Sequence, residues 1–232
     1  MGRWGWRLFE GDQDLDVAAT IMKDLGIEEN DWDFKIDATI NQTDLLAGSE
    51  AHTYYKTPNF AQKLATTIIP YIRGKLDTDN LGDTLFAASK AKEATGSIDF
   101  FQTNKYRTII LVALMLRVGA RVKEEHLQYV RDLVPQINCN SRHMLLADHG
   151  FRTPGRAQFL AALDYCKPGV PRNFQEASCF GCGKIEADLG HKPLICKKCK
   201  FATYCGQVCQ REQWREHRVS CVAPEKRFML NV

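Results

Sequence analysis

The chain has 232 residues, 44% hydrophobic and 25% charged, which is enough for one sizeable apolar core plus a small module. Residues 1–178 carry 21 basic and 23 acidic side chains, so little basic surplus is left there for nucleic-acid phosphates. The longest apolar run, Ile109 to Leu116, is far shorter than the roughly 20 residues that span a membrane. The start Met1-Gly2-Arg3 lacks the apolar stretch of a secretory leader, so we expect an intracellular protein, in the cytoplasm or nucleus.

The first 26 residues predict a short packed segment followed by a helix. Trp4, Trp6 and Leu8 alternate with basic or small residues, a period of two that predicts an extended segment lying on the core. An Arg/Trp surface that stacks nucleic-acid bases is the alternative. From Asp12 onward, acidic residues suited to a helix N-terminus precede apolar residues at helical spacing, and Gly26 ends the helix.

Further helices are predicted after a polar, turn-rich connection over 27–57. Helical spacing covers 58–73, 81–94, 103–118, 123–134 and 153–166. Pro70 predicts a kink or break near Ile69. The segment 103–118 is apolar nearly all round in its second half, which is typical of a central helix covered by its neighbours. Two prolines and one glycine in Lys167–Pro171 then predict a linker.

Eight Cys and His residues near the C-terminus occur in four short-spaced pairs. They are Cys179-x2-Cys182, Cys196-x2-Cys199, Cys205-x3-Cys209 and His217-x3-Cys221. Such spacings let one turn aim two donor atoms at one ion, and thiolate and imidazole ligands suit tetrahedral Zn²⁺. Eight ligands fill two four-coordinate sites and leave no position for water or substrate, so we expect two structural zinc ions.

A disulfide framework is the alternative for these cysteines, and the lack of a secretory leader disfavours it. Two cysteines, Cys139 and Cys166, remain outside the pattern, and we expect them to be buried free thiols.

The second half of this stretch resembles a MYND-type zinc finger. The matching residues are Tyr204-Cys205-x3-Cys209-Gln210-x3-Trp214-x2-His217-x3-Cys221. The resemblance implies a β-hairpin, a short helix over about 206–218 and interleaved ligands. It assigns Cys179, Cys182, Cys205 and Cys209 to one ion and Cys196, Cys199, His217 and Cys221 to the other. His191 lies in a gap longer than in the shortest family members; it is a competing ligand candidate that we interpret as part of a solvated loop.

These signals together predict a mostly α protein in which a small cross-braced two-zinc finger follows a helical domain. The predicted parts are a helical domain of unknown role at 1–166, a linker at 167–178, the finger at 179–221 and a C-terminal tail at 222–232. The opening also resembles the start of an uncharacterised domain family, found in some fungal MYND proteins, that brings no known activity. Its matching residues are Trp4-Gly5-x3-Phe9-Glu10-x-Asp12-x-Asp14-Leu15-Asp16.

The MYND resemblance also implies a partner. Fingers of this family commonly bind short proline- and leucine-containing peptides as a strand added to the hairpin edge. By resemblance, Gln210 and Trp214 line that groove, four residues apart on one helix face. The alternative is that Trp214 fills the small core while Gln210 caps the helix or faces solvent. Lys197 departs from the small polar residue that some peptide-binding members carry there. We therefore predict a non-enzymatic intracellular adaptor that binds a protein partner through a Pro-x-Leu type peptide, with its oligomeric state left open.

Two other functions are left open. A nucleic-acid-associated or transcription-related zinc protein would use Lys197, Lys198, Lys200, Arg211, Arg215 and Arg218. Seven thiolates and two Zn²⁺ reduce the finger's net charge from +4 to +1, which disfavours it. The other is an enzyme with an unrecognised site in the helical domain.

Several enzyme classes lack their signatures in this sequence. It holds no nucleophile elbow, no phosphate loop and no dinucleotide fingerprint. It also lacks the Asn-His-Ser/Cys signature of SET methyltransferases, some of which carry MYND fingers. His143, Asp148 and His149 form a titratable cluster that we interpret as a solvated turn, with a metal or acid–base role as the alternative.

Overall fold

In a computed structural model, the described residues are 2–27, 36–44, 47–94, 103–141 and 149–226. They are mostly helical, as predicted, and fall into two compact units. The helical unit comprises Gln13–Ile137 and Cys166–Asn173, and the finger unit comprises Met1–Asp12, Asn138–Tyr165 and Phe174–Val232.

The helical unit contains seven α-helices within the described ranges. They are α1 (Asp12–Asp24), α2 (Ser49–Tyr55), α3 (Pro58–Lys63), α4 (Ile69–Asp77), α5 (Leu81–Ala94), α6 (Thr103–Val118) and α7 (Glu124–Leu133). The first residue of α1, Asp12, is assigned to the finger unit. Short 3-10 turns at Ile36–Thr39, Asn41–Thr43, Thr78–Asn80 and Val134–Gln136 connect them. None of the described helices is long and apolar enough to cross a bilayer.

Helix α6 is the centre of the helical unit, as the sequence predicts. It packs against α4, α5 and α7, and every residue from Ile109 to Leu116 is at most 4% exposed. An apolar surface on all sides is stable here because neighbouring helices cover each side. At its first turns, the Tyr106 hydroxyl donates a 2.7 Å hydrogen bond to the buried Asp14 carboxylate of α1. The acidic start of α1 therefore also anchors that helix to α6.

The predicted break near Ile69 takes the form of a change of helix type. Between α3 and α4, Leu64–Ile68 form a π-helical segment, and Pro70 lies in the first turn of α4. Pro70 has no N–H to donate to the preceding turn, and a π turn leaves room for the unpaired carbonyl group. The N–H of Ile69 instead donates to the carbonyl oxygen of Leu64.

The finger unit combines short strands with three helices in the part of the chain that is described. Its elements are β1 (Cys139–Asn140), β2 (Phe151–Arg152), α8 (Thr153–Tyr165), α9 (Glu186–Leu189), β3 (Leu194–Ile195), β4 (Thr203–Tyr204) and α10 (Gln207–His217). Strands β1 and β2 are parallel, whereas β3 and β4 form the predicted antiparallel hairpin with Leu194 opposite Tyr204. Helix α10 falls within the predicted range 206–218.

The extended segment predicted for the first residues is wrong. Residues 2–12 form a closed loop, called here the N-terminal loop, in which Arg3 and Gly11 form a bridge. The N–H groups of Trp4 and Gly5 both donate to the carbonyl oxygen of Glu10, at 3.1 and 3.2 Å. The period of two fails because the basic residues between the apolar ones are buried as well.

Buried arginines in this loop also rule out the base-stacking surface. Trp6 is 7% exposed and Arg7 is 9% exposed, so neither presents a face to nucleic acid. The Arg7 guanidinium tolerates burial because it pairs with the Glu10 carboxylate at 3.5 Å.

The compact units divide the chain differently from the predicted domains. Residues 179–221 lie in the same unit as the N-terminal loop and α8, while residues 166–173 of the predicted linker lie in the helical unit. Contacts define a compact unit, whereas independent folding defines a domain. The domain boundaries at 166, 178 and 221 therefore stay a prediction.

Some predictions fall outside the described residues. These are His143 and Asp148 of the titratable cluster, parts of the 27–57 connection and the end of the C-terminal tail. Cys139 and Cys166 form no disulfide with the described cysteines, as predicted, but both are half-buried rather than buried.

Candidate metal centre

Four thiols converge at the first candidate metal site. The sulfur atoms of Cys179, Cys182, Cys205 and Cys209 all lie within 4.8 Å of one another. The Sγ of Cys205 lies 3.7 Å from that of Cys182 and 3.4 Å from that of Cys209. Four tetrahedral Zn–S bonds of about 2.3 Å require sulfur–sulfur separations of about 3.8 Å. The site therefore has the donor number and the approximate spacing that a zinc ion requires.

A tight turn after Cys179 builds this site. The N–H of Gly183 donates to the Cys179 carbonyl oxygen at 2.7 Å, and Gly183 has a φ of +75°. A Cβ at Gly183 would lie 1.9 Å from the carbonyl oxygen of Ala157 in α8, so only glycine fits. The N–H of Cys182 points at the Cys179 sulfur, 3.5 Å away. The turn thus aims both sulfur atoms to one side and seats the finger against α8.

The second site is more deeply covered than the first. Cys196, Cys199, His217 and Cys221 are all buried, with donor atoms within 4.8 Å of one another. The sulfurs of Cys196 and Cys221 are 3.8 Å apart, and the Cys199 sulfur lies 3.6 Å from Nε2 of His217. Tetrahedral Zn–S and Zn–N bonds require about 3.8 and 3.5 Å for such pairs. This set also fits zinc.

Helix α10 contributes ligands to both sites from a single stripe. Cys209, Gln213 and His217 are spaced by four residues and therefore lie along one helix face. Gln213 is buried, and its Oε1 accepts a 2.7 Å hydrogen bond from the Tyr204 hydroxyl on β4. Sequence reasoning missed Gln213, although its position midway between two ligands on the same face is a usable signal.

The electrostatics of both clusters favour a bound cation. Burial, with the neighbouring thiols adding to it, raises the pKa of Cys182 to about 11 and that of Cys221 to about 12. At Cys179, burial raises the pKa, but backbone N–H groups, that of Cys182 foremost, outweigh burial and lower it. Burial, followed by the charge of Lys198, lowers the pKa of His217 and keeps its ring neutral, as ligation needs. Several adjacent thiolates are stable together only beside a positive ion.

The two ligand sets interleave along the chain as the resemblance implies. The first and third short-spaced pairs form one cluster, and the second and fourth form the other. His191 lies in neither cluster; its Nδ1 is 3.1 Å from the Lys192 carbonyl oxygen on an exposed loop. The two ions would therefore tie the two halves of residues 179–221 together.

Trp214 does not fill the core of the finger. It is 44% exposed, and its ring makes one edge-to-face contact with His217 at 5.8 Å. Gln210, one helical turn earlier, is half-buried. Both lie on the face of α10 next to the ligand stripe. Their role in binding a peptide stays a prediction.

The hairpin presents one strand edge. Leu194 and Ile195 of β3 are 60% and 59% exposed. Because Cys196 donates to the Ala202 carbonyl oxygen, the antiparallel register turns the N–H and C=O of Ile195 away from β4. On the other side of the hairpin, the carbonyl oxygen of Thr203 already accepts from the N–H of Phe180 at 2.8 Å. The outer side of β3 is thus the edge that can add a strand.

Two interleaved, fully protein-ligated clusters define this part of the chain as a cross-braced zinc finger. A model of the MYND finger family matches residues 179–221, the same residues that hold all eight ligands. The C-terminal region is therefore a MYND zinc finger whose clusters fit two zinc ions, and fingers of this kind generally mediate protein–protein interaction.

Further comparisons add no relatives for the whole chain. No curated protein and no solved structure matches it. The MYND match covers less than a fifth of the chain. The resemblance of the N-terminal residues to an uncharacterised fungal domain has no support from these comparisons and stays a prediction.

Proposed function

We propose that this protein is a non-enzymatic intracellular adaptor whose MYND finger binds a short Pro-x-Leu type peptide of a partner protein. The peptide would lie along β3, with Gln210 and Trp214 beside it. The observation that carries this proposal is the exposure of Trp214 on a helix whose neighbouring face is fixed by zinc ligands.

The edge of β3 supplies the backbone part of this recognition. An added strand would pair with the N–H and C=O of Ile195, which point away from β4. The exposed Leu194 and Ile195 side chains offer apolar surface to a leucine. Backbone pairing sets the register of the peptide, and the side chains select its sequence.

Trp214 supplies an aromatic face for a proline ring. A proline-rich peptide is already stiff, so it loses little conformational entropy on binding. The helix that carries the indole is held in place through Gln213 and His217 on its neighbouring face, and the indole itself contacts the His217 ring. A preorganised aromatic side chain loses little entropy when a ligand covers it.

The non-enzymatic part of the proposal rests on the ligand count. Each cluster brings four protein donors, the number that a structural zinc ion takes. Zinc that activates water keeps one coordination position for it. The ions would therefore stabilise the fold, and the partner peptide would bind to the surface of the finger.

Isothermal titration of the full chain with a synthetic Pro-x-Leu peptide tests this proposal. We expect saturable binding that Trp214→Ala weakens at least about tenfold, since a central aromatic anchor commonly carries that much binding energy. Zinc content should stay at two per chain. Val208→Ala is the matched control, because Val208 is also exposed and apolar on α10 but lies about 120° around the helix from Trp214.

Two outcomes would overturn the proposal. One is the absence of heat with every member of a proline-rich peptide library. The other is tight binding to an oligonucleotide with an affinity that falls steeply with salt, which would favour the nucleic-acid function through the exposed basic residues.

A further inference from the structure

The interior of the finger contains a residue from the other end of the chain. Trp6 of the N-terminal loop lies in one buried cluster with zinc-ligand residues and the rings between them. Its fully or nearly buried members are Trp6, Cys179, Phe180, Cys196, Cys199, Ala202, Tyr204 and Cys221. Without Trp6, residues 179–221 would have a gap in this buried cluster where the indole lies.

Aromatic rings and two guanidinium groups contact one another across this cluster. The Arg152 guanidinium lies over the Trp6 ring at 4.8 Å, and the Trp6 ring is 6.5 Å from that of Phe180. The Arg7 guanidinium lies 5.8 Å from the Phe180 ring and 5.6 Å from the Phe201 ring. Each such contact contributes roughly a two- to tenfold factor in an equilibrium constant. The stack therefore joins the N-terminal loop, β2 and the finger.

The rings that hold these cations are adjacent to zinc ligands. Phe180 directly follows Cys179, and Phe201 lies two residues after Cys199. The N–H of Phe180 also donates a hydrogen bond to the carbonyl oxygen of Thr203 in β4. A displacement of the Phe180 ring would therefore move both the first ligand and the hairpin.

The N-terminal loop is anchored independently of the finger. Its own backbone bonds close it, and the Leu8 N–H donates to Oε1 of Gln158 in α8 at 3.3 Å. Phe9 packs edge-to-face on Phe174 at 5.6 Å. Gln158 in turn donates to the Phe174 carbonyl oxygen at 2.8 Å. The loop and α8 thus form a platform on which residues 179–221 are packed.

We propose that Trp6 and Arg7 are positioning residues for the zinc sites, and that the MYND finger of this chain depends on the N-terminal loop to retain its metal. The loop completes the core that the finger is too small to close, and the two arginines hold its aromatic rings in place. The proposal rests on the zinc sites alone and holds whether or not the finger binds a proline-rich peptide.

Zinc release from the full chain tests this proposal. Purified protein is mixed with excess chelator, and release of Zn²⁺ is followed with a chromogenic metal indicator. We expect Trp6→Ala to release zinc at least about tenfold faster than wild type, because it removes one ring contact and one cation–π contact. Arg7→Met, which keeps the volume but loses the charge, should speed release more than Arg7→Lys, which keeps a cation over the rings.

A matched variant separates positioning from general destabilisation. Phe86→Ala removes a buried ring of the helical unit, where it stacks on His126 at 3.8 Å. We expect it to lower the unfolding temperature without faster zinc release. Equal release rates for Trp6→Ala and Phe86→Ala at comparable unfolding temperatures would overturn the proposal.

Wild-type protein gives a second readout that does not depend on a variant folding. Because Arg7 is buried, trypsin should cleave after it slowly in the zinc-loaded chain. Removing zinc should unfold residues 179–221, withdraw the Phe180 and Phe201 rings from the Arg7 guanidinium and speed cleavage at Arg7 at least about tenfold. Cleavage at Arg7 that is unchanged by zinc removal would contradict the coupling.

Discussion

In the helical unit the interior is helix α6, whose residues from Ile109 to Leu116 are almost fully buried aliphatic side chains. In the finger the interior consists of thiols, one imidazole and a few aromatic rings around two metal clusters. The first interior excludes water by apolar burial alone. The second brings together seven thiols that would repel one another as thiolates without a cation.

The difference shows how the size of a folded segment decides what stabilises it. The helical unit is long enough to surround one apolar helix, and the hydrophobic effect then stabilises it. The 43-residue stretch that holds the ligands is near the limit below which metals are usually needed. The same physical limit explains why the finger also draws Trp6 into its core.

Loss of zinc should cause the largest loss of stability, and this loss should be confined to the finger. A structural zinc ion is worth on the order of 10 kcal/mol, so Cys199→Ala or chelation should unfold the finger. Neither ligand cluster found among the described residues lies in the helical unit, so its helices should remain. We expect elemental analysis to find fewer than two zinc ions per Cys199→Ala chain, and circular dichroism to retain most helical signal.

The control for this change is Cys166→Ala, which removes a half-buried thiol of the helical unit. It should leave two zinc ions per chain. Two ions per chain in Cys199→Ala as well would show that the second cluster does not hold zinc in the way described.

A cavity beside α6 should cause the next largest loss of stability, in the helical unit. Leu114 is fully buried, and Leu114→Ala should destabilise the helical unit by about 3 kcal/mol through lost burial and a cavity. Chemical denaturation followed by circular dichroism measures this free energy of unfolding. Leu114→Met nearly conserves volume and should cost less than about 1.5 kcal/mol. Zinc loss from Leu114→Ala under native conditions would contradict the separation of the two stabilising mechanisms.

Protonation of His126 in α7 at acidic pH should cause the smallest loss of stability. Burial lowers the pKa of His126 below its ordinary value, although Asp83 and Glu125 act in the opposite direction. The unfolded chain then binds the proton more readily than the folded chain. Stability from this group is therefore present above the unfolded pKa of about 6.5 and is lost as the pH falls below it.

The unfolding temperature at pH 7.5 and 5.5 measures this effect. His126→Phe keeps a ring beside Phe86 but binds no proton, so its unfolding temperature should fall less on acidification than that of wild type. The difference between the two proteins removes the contribution of zinc release, which both share. An equal fall in both would contradict the role of His126.

Sequence reasoning reached much of the fold and nearly all of the metal centre. Helix α6 was predictable because an apolar surface on every side has few other solutions in water. Pro70 marked the change of helix type because its missing N–H acts on the neighbouring turn. Gln213 was missed although its place between two ligands on one helix face gives a signal. The burial of Arg3 and Arg7 escaped prediction, since it depends on partners distant in sequence.

The sequence by itself determined which residues approach a metal ion, because a spacing of two or three residues fixes the reach of a donor pair within a single turn. The tertiary structure alone decided that Trp6 enters the finger core and that Arg7 and Arg152 are buried against its rings. No local pattern carries that information. A cation is stable in an interior only where residues from other parts of the chain supply its partners.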